Sequence, residues 1–400
     1  MTRPFRYGVI GSGRQGTAVA FHLATWGATE RVLLADRDME VASQASARVN
    51  QLIGRDVAFP RHVDVSDSHL LADTLASVEV IVCAVPYSMI LACTRAAIEA
   101  GTSMVDLGGH TETVLQQLEL DGSATAAAIT IVPDCGMGPG MSNTMGLAAL
   151  ERLQLAGATP RELRLWDGGL PQDPPPPWGY VASFNIEGLT NEYDGEAVFL
   201  REGRVTKVRS LTELEHVVFD GLGTLEAFVT SGGTSILPYA LEGTLDTFEN
   251  KTCRYPGHFE RFRAFRDLGL FSEQVVVIDG VPIRPRDLYH VLLGAQIHGD
   301  RVEDVCVIRA RATGEKDGAT MTATLELVDH YDAETGFTAM ERVTGGHAAI
   351  MATLIARGAI PPGVRSLERT VPARIFLEEA RGRGFTISES LQDDGAGLDP

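Results

Sequence analysis

Three glycines spaced as Gly11-Ser-Gly13-Arg-Gln-Gly16 constrain this chain more than any other feature, because of what surrounds them. The apolar run Tyr7-Gly-Val-Ile10 leads in, and a stretch with helical spacing of apolar residues leads out. In a strand–turn–helix unit Gly11 permits the tight turn, Gly13 lets backbone approach a pyrophosphate, and Gly16 allows close packing of helix on sheet. The helix N-terminus then offers unpaired N–H groups and a positive dipole end to phosphates. Asp36 ends the next apolar run, 25 residues after Gly11. A carboxylate there accepts hydrogen bonds from both hydroxyls of an adenosine ribose and repels a 2′-phosphate. The expectation is a pyridine dinucleotide, NAD ahead of NADP, held by Gly11, Gly13, Arg14, Gln15, Gly16 and Asp36. Arg37 follows immediately and could contact a 2′-phosphate, which pulls the other way.

The first third of the chain continues the strand and helix alternation. An apolar run at 57–63 and a helical segment at 66–76 precede Val78-Glu-Val-Ile-Val-Cys-Ala-Val-Pro86, which reads as a strand buried on both faces. A helix over 88–100 and short strands at 103–107 and 129–133 complete a doubly wound parallel sheet. Its ligands lie beyond the carboxyl ends of the strands. Val85, Pro86 and His110 fall at such ends and are expected cofactor contacts, while Asp106, Asp134 and Cys135 fall there as expected cleft residues. This assigns 1–133 to a Rossmann dinucleotide-binding domain.

From residue 134 the pattern changes. Strand candidates at 161–167, 197–208 (a hairpin turning at Glu202-Gly203), 214–219, 224–229, 243–253, 305–313 and 320–329 are interrupted by helices near 258–268 and 285–297. The expectation is an α+β catalytic and oligomerisation domain, 134–338, with a mostly antiparallel sheet. The tail over 388–400 is polar and acidic and reads as loose.

The net charge of −19 argues against nucleic acid or an anionic membrane as the principal partner. No apolar run approaches the roughly 20 residues that cross a bilayer. The N-terminus runs into the first strand with no signal-like segment before it, and five scattered cysteines look like reduced thiols. A cytoplasmic location is expected. No His/Cys/Asp cluster has metal-site spacing, so no metal is expected.

Five motifs then occur in one order: Asp134-Cys-Gly-Met-Gly-Pro-Gly-Met-Ser-Asn143, Gly168-Gly-Leu-Pro171, Phe184-Asn-Ile-Glu-Gly-Leu-Thr-Asn-Glu-Tyr193, Thr230-Ser-Gly-Gly-Thr234 and Lys251-Thr-Cys-Arg-Tyr-Pro-Gly-His258. Together they resemble the saccharopine dehydrogenase superfamily, and within it the lysine 6-dehydrogenase branch. The resemblance implies a Rossmann domain plus a glyceraldehyde-3-phosphate-dehydrogenase-like domain, with helices of 339–385 returning to the first domain. It implies NAD-dependent oxidation of the ε-carbon of L-lysine to allysine, which cyclises to piperideine-6-carboxylate, with release of ammonia. The family's habit also implies a homo-oligomer.

Oxidising an amine requires its neutral lone pair as hydride leaves the adjacent carbon, so a base must first take a proton from the ammonium. Neutral histidine suits that work near pH 7, and His258 is the first candidate. His110 is the second, although relatives often carry Asn there, which favours a cofactor contact. Arg254 could clamp a carboxylate with a forked hydrogen bond. Asp134 and Glu187 could hold the amino groups, Tyr255 could orient the side chain, and Asp106 could line the substrate site. Cys135 reads as a cleft-lining thiol without nucleophilic function. Other readings are a saccharopine-type enzyme, another ω-amino-acid or diamine dehydrogenase, or an NAD-binding regulator that has lost catalysis.

Overall fold

The computed structural model describes residues 3–182, 186–299 and 302–393. The first sheet is built from β1 (Phe5–Ile10), β2 (Thr29–Asp36), β3 (Ala58–His62), β4 (Val80–Cys83), β5 (Ser103–Asp106) and β6 (Thr130–Val132). Between them run α1 (Arg14–Trp26), α2 (Met39–Ile53), α3 (Ser68–Ala76), α4 (Tyr87–Ala100), α5 (Thr111–Leu118) and α6 (Asp121–Ala126). The strands are parallel throughout and lie in the order β6-β5-β4-β1-β2-β3. The order reverses between β1 and β4, which opens a crevice at their carboxyl ends. Val9, Ile10, Ile81 and Val82 are buried, as strands covered on both faces require. Asp38 and Asp67 cap α2 and α3 by accepting backbone N–H bonds, which sets where those helices begin.

After α7 (Met141–Leu155) the long β7 (Thr159–Pro171) opens a second sheet. It is followed by α8 (Ile186–Tyr193), β8 (Glu196–Arg201), β9 (Arg204–Arg209), β10 (Glu215–Phe219), β11 (Gly223–Val229), α9 (Leu237–Leu241), β12 (Thr247–Arg254) and α10 (His258–Asp267). A separate hairpin, β13 (Val276–Ile278) and β14 (Val281–Ile283), precedes α11 (Pro285–Ile297), β15 (Asp304–Lys316) and β16 (Ala319–His330). The chain ends with α12 (Ala339–Ala356), β17 (Gly363–Val364), α13 (Ala373–Gly382) and β18 (Ile387–Asp393). The nine-stranded sheet runs β10-β11-β12-β7-β15-β16-β18, with β8 attached to β12 and β9 to β8. Its pairings are antiparallel except β7 with β12. The α/β class with a parallel first sheet and a mixed, mostly antiparallel second sheet thus agrees with the sequence reading.

Helix α12 joins the two sheets. It packs on α1, β4 and β5 on one side and touches β15, β16 and α7 on the other. Its start is held by a capping box between Thr338 and Glu341 and by the Asp304 carboxylate, which accepts from Ala339 N at 2.6 Å and Met340 N at 3.0 Å. Gly345 lets α1 come close: a Cβ there would stand 3.0 Å from the Ala18 Cβ and from Val19 N. Downstream, β17 adds to the first sheet beside β6, whereas α13 packs on α7 and α12. The loose tail expected from residue 388 is corrected over its first part. Residues up to Asp393 form the edge strand β18 paired with β16, and 394–400 lie outside the described residues.

Candidate active site

The glycine-rich turn behaves as its spacing requires. Gly11 adopts φ +94°, and a Cβ on it would stand 2.4 Å from the Ala84 carbonyl oxygen. A Cβ on Gly16 would stand 1.8 Å from the Gly11 carbonyl oxygen, so α1 passes too close for any side chain. Nothing lies within 4 Å of where a Gly13 Cβ would be, and α1 begins there with no side-chain cap. That open cradle, with the buried Ser12 Oγ and Gln15 Oε1 lacking partners, fits a phosphate-bearing ligand. Asp36 accepts from Ser12 N at 2.8 Å and Asp38 N at 3.0 Å, which ties the end of β2 to the glycine turn. A cleft of about 350 Å³ runs past Gly11, Gly13, Asp36, Arg37, Asp64, Val85 and Pro86. Of the other cofactor candidates, Arg14 turns away to pair with Glu341 on α12 at 2.5 Å. His110 caps α5 and stacks on Tyr87, centroids 4.3 Å apart and planes 8° apart.

A second, smaller pocket of about 50 Å³ opens on the nine-stranded sheet, lined among others by Gly138, Asp167, Glu192, Thr230, Thr252 and Arg254. Alternation along β12 directs Asn250, Thr252 and Arg254 to one face. The parallel pairing sets Asn250 and Thr252 beside β7, where Asp167 Oδ2 accepts from Asn250 Nδ2 at 2.9 Å. Gly138 must be glycine here, since a Cβ would stand 2.7 Å from that same Oδ2. The pocket borders the first sheet's carboxyl end, because the 230–234 loop runs against Gly109 and Asn143 Nδ2 donates to Thr234 O. Arg254 is its one cation among the described lining residues. The guanidinium donates to the Tyr193 hydroxyl, the Cys253 carbonyl and Glu192 Oε2, and its charge stands 5.2 Å from the centre of the Tyr180 ring. Further N–H groups on both terminal nitrogens remain for a ligand. Burial raises the Asp167 carboxyl above the usual range, against the hydrogen bonds from Asn250 and Ser142. Burial also pushes half-buried Glu192 up to about 7, opposed by Arg254 and reinforced by Asp167.

His258 stands behind this pocket, not in it. Its ring is 1% exposed and stacks on Phe262 with centroids 4.1 Å apart. Nε2 lies 2.8 Å from the Tyr193 hydroxyl, which already accepts from Arg254 Nε at 3.0 Å. Burial, with Arg254 and Arg261 nearby, holds the imidazole well below its ordinary pKa and therefore neutral. Expected as the base, His258 instead supports Tyr193 and through it Arg254. The start of α10 is sealed by Glu226 of β11, whose carboxylate accepts from Gly257 N and Phe259 N.

Several other expected contacts are also corrected by geometry. Glu187 is exposed in the first turn of α8, and Phe184 and Asn185 of its motif lie outside the described residues. The Tyr255 hydroxyl is spent on the Pro171 carbonyl at 2.9 Å. Asp106 accepts from Gly108 N and Gln117 Nε2, so it shapes the loop after β5 instead of lining the pocket. Asp134, at φ +62°, is buried with Oδ1 unpartnered, and burial followed by the nearby Asp106 charge pushes it up to about 7. The Cys135 thiol is buried against the Val132 and Pro133 carbonyls and raised well above its ordinary pKa, so it is an inert thiol away from the cleft.

Comparison with known proteins agrees with this two-domain fold. The saccharopine dehydrogenase NADP binding domain matches residues 7–132 and the saccharopine dehydrogenase C-terminal domain matches residues 136–385. The chain belongs to the saccharopine dehydrogenase family. Its first domain is therefore a pyridine-nucleotide-binding domain. The NADP(+)-dependent, L-glutamate-forming saccharopine dehydrogenase of Pyricularia oryzae is 24% identical over 253 residues, 61% of this chain and 53% of that protein. Its Saccharomyces cerevisiae counterpart is 23% identical over 288 residues, 70% of this chain and 64% of that protein. The chain thus matches these fungal relatives over little more than half to under two thirds of their length. The apo structure of the yeast L-Glu-forming enzyme superposes with TM-score 0.78 and 20% identity, covering 97% of this chain and 100% of that one, which shows the shared fold.

Within the saccharopine dehydrogenase frame, the pocket residues that sequence reasoning missed are Asp167, Tyr180 and Glu192, with Tyr193 buried behind Arg254 as its support. Glu192 and Tyr193 sit in the same quoted motif as Glu187, and helical spacing was the available signal. Leu189, Thr190 and Tyr193 form the buried face of α8, which leaves Glu187 outside. Asp167 directly precedes the Gly168-Gly-Leu-Pro171 motif on an alternating strand, yet only the pairing of β7 with β12 reveals its partner.

Proposed function

We propose that the chain is an NAD-dependent dehydrogenase acting on the terminal amine of an ω-amino acid of the lysine class, releasing ammonia and an aldehyde that cyclises. The observation that carries this reading is the charge pattern of the small pocket: one guanidinium, Arg254, set among two carboxyl groups, Asp167 and Glu192. One carboxylate and two amines on the substrate match that pattern. Saccharopine, whose glutamate arm adds two more carboxylates, asks for cations that the described lining does not contain.

Glu192, with a pKa of about 7, is suited to take a proton from the incoming ammonium and leave the amine lone pair free. The pyridine nucleotide, when bound, supplies the hydride acceptor. The carbon–nitrogen double bond that results is cleaved by water: a C–O bond forms, the nitrogen leaves as ammonia, and Glu192 or Asp167 carries the protons. Arg254, fixed by Tyr193, holds the substrate carboxylate and so sets which carbon faces the cofactor. NAD is favoured because Asp36 and Asp64 both line the ribose end of the cleft, against Arg37 alone.

The test is NADH or NADPH formation with L-lysine, ornithine, saccharopine and diamines, each nucleotide in turn. Turnover with lysine and NAD supports the proposal. Preference for saccharopine and NADP would assign the activity named for the fungal relatives, and NADH binding without turnover of any amine would leave a regulator.

A further inference from the structure

Pro372 breaks the chain after β17 into two helical pieces. The residue before a proline is disfavoured in a helix, so Leu367–Arg369 stays a single 3-10 turn and α13 starts afresh at Ala373. The resulting strap, residues 367–373, forms one wall of a cavity of about 420 Å³, closed on its other sides by α7 and α12. This cavity is larger than the dinucleotide cleft and shares no lining residue with it or with the small pocket. Its volume lies within the roughly 300–1,000 Å³ of sites for small organic ligands.

The lining has an apolar part and a charged part. Leu147, Met351, Leu367 and Phe376 supply the first, and Met351 brings a thioether that adapts to the shape of what it meets. Among the charged residues, Glu151 is already engaged by Arg374, through its backbone N–H and its guanidinium. Glu368 is not. Its Oε1 accepts from the Ser366 hydroxyl, whereas its shielded Oε2 has no hydrogen-bond partner. A carboxylate oxygen left in that state is costly and calls for a donor. Beside it Arg369 makes only a long contact to Glu368, 3.6 Å from Nε, so its terminal N–H groups remain to receive an anion.

We infer that this cavity binds a free α-amino acid with an apolar side chain, at a site separate from the one that takes the substrate. The ammonium meets Glu368, the carboxylate meets Arg369, and the side chain lies against Leu147, Met351 and Phe376. A second ammonium, as on lysine, would have to enter the apolar part, and a phosphate would face Glu151 and Glu368 with one arginine to hold it. Met340 of α12 lines the small pocket and Met351 lines the cavity, roughly 16 Å further along the helix, so both sites can be filled together. The helices that form the cavity also begin beside the small pocket, α7 just after Gly138 and α12 at Ala339. Between them Thr144 Oγ1 and His347 Nε2 are 3.0 Å apart, with the Phe376 ring against the imidazole. The occupied cavity therefore braces two helices whose first turns border the small pocket, whichever amine that pocket takes.

Calorimetric titration of the full chain with L-leucine, L-methionine and L-phenylalanine is expected to show saturable binding of at least one of them, unchanged when NADH and L-lysine are both present. Leu147→Trp, which fills the cavity, is expected to abolish that binding. Arg369→Ala bypasses any misfolding of that variant, since the Arg369 side chain is 72% exposed, and should weaken binding by about tenfold or more. Isopentylamine, which is leucine without its carboxylate, and N-acetyl-L-leucine, which lacks the ammonium, should each bind about tenfold or more weakly than leucine. Arg254→Lys, confined to the small pocket, should leave the affinity as it is. Binding lost in Arg254→Lys yet kept in Leu147→Trp would move the amino acid to the small pocket and overturn the inference. So would the absence of saturable binding by all three amino acids, or an Arg369→Ala variant that binds as tightly as wild type.

Discussion

At the scale of single residues, the groups that burial displaces from ordinary behaviour are the ones that can be tested. Asp134 is buried, has an unpartnered oxygen and titrates at about 7, well above the roughly 3.9 of an unfolded aspartate. A carboxyl raised in this way favours the fold while protonated. That contribution is complete below about pH 4 and is lost as pH rises through 7. Asp134→Asn removes the ionisation and tolerates the left-handed backbone at this position. The variant should therefore gain on the order of 2 kcal/mol over wild type at pH 8 and much less at pH 5, read from urea midpoints. An equal difference at both values would show that the charge is not the source. Glu192→Gln addresses the chemistry instead. It should lower kcat by about 100-fold and remove an ionisation near pH 7 from the rate profile. Arg254→Lys should raise KM for the amino acid with NADH affinity unchanged, because the lost fork touches only the small pocket. An unaltered KM would reject the clamp.

Secondary-structure elements were legible where local chemistry decides them and opaque where distant pairing does. The glycine turn, the ends of β4 and β5, and the β8–β9 hairpin at Glu202-Gly203 follow from positive-φ requirements and unbroken apolar runs that any neighbour would satisfy. The small pocket did not follow, since it depends on β12 lying parallel to β7 across some 80 residues of intervening chain. The Arg254-to-His258 run looked like one cleft segment, yet strand alternation turns Arg254 into the pocket and the start of α10 turns His258 into the phenylalanine cluster. Polar β18 reads as coil because its partner β16, not its own apolar pattern, makes it a strand. Helix α12 holds the clearest element-scale test. Gly345 and Gly346 weaken an isolated helix, and their role is the close approach of α1 on one side and Phe385 on the other. Gly345→Val should push against the α1 backbone and cost about 2 kcal/mol or more, seen as a lower thermal midpoint. A midpoint equal to wild type would mean that the two helices separate without penalty.

For the molecule as a whole, the two sheets share one apolar core. Val9, Val82 and Val105 of the first sheet, Ile350 and Met351 of α12, and Leu165 and Ile308 of the second belong to a single packed cluster. Opening the second sheet would expose one side of α12, and opening the first would expose the other, so neither half retains a finished surface alone. Unfolding should accordingly appear as one transition in calorimetry, despite two separately matched family segments. The dinucleotide cleft lies entirely in the first sheet, which makes this expectation sharp. A ligand that binds only there should still raise the whole transition. NADH at 100 times its Kd adds about 2.7 kcal/mol to the folded state, and on the proposed NAD preference NADPH at the same concentration should add less, since the cleft is lined by the Asp36 and Asp64 carboxylates. Two resolved transitions, with NADH moving only the first, would show that α12 does not couple the sheets. A larger shift from NADPH would reverse the reading of Asp36, and Arg37 would then be the residue that governs the ribose end of the cleft.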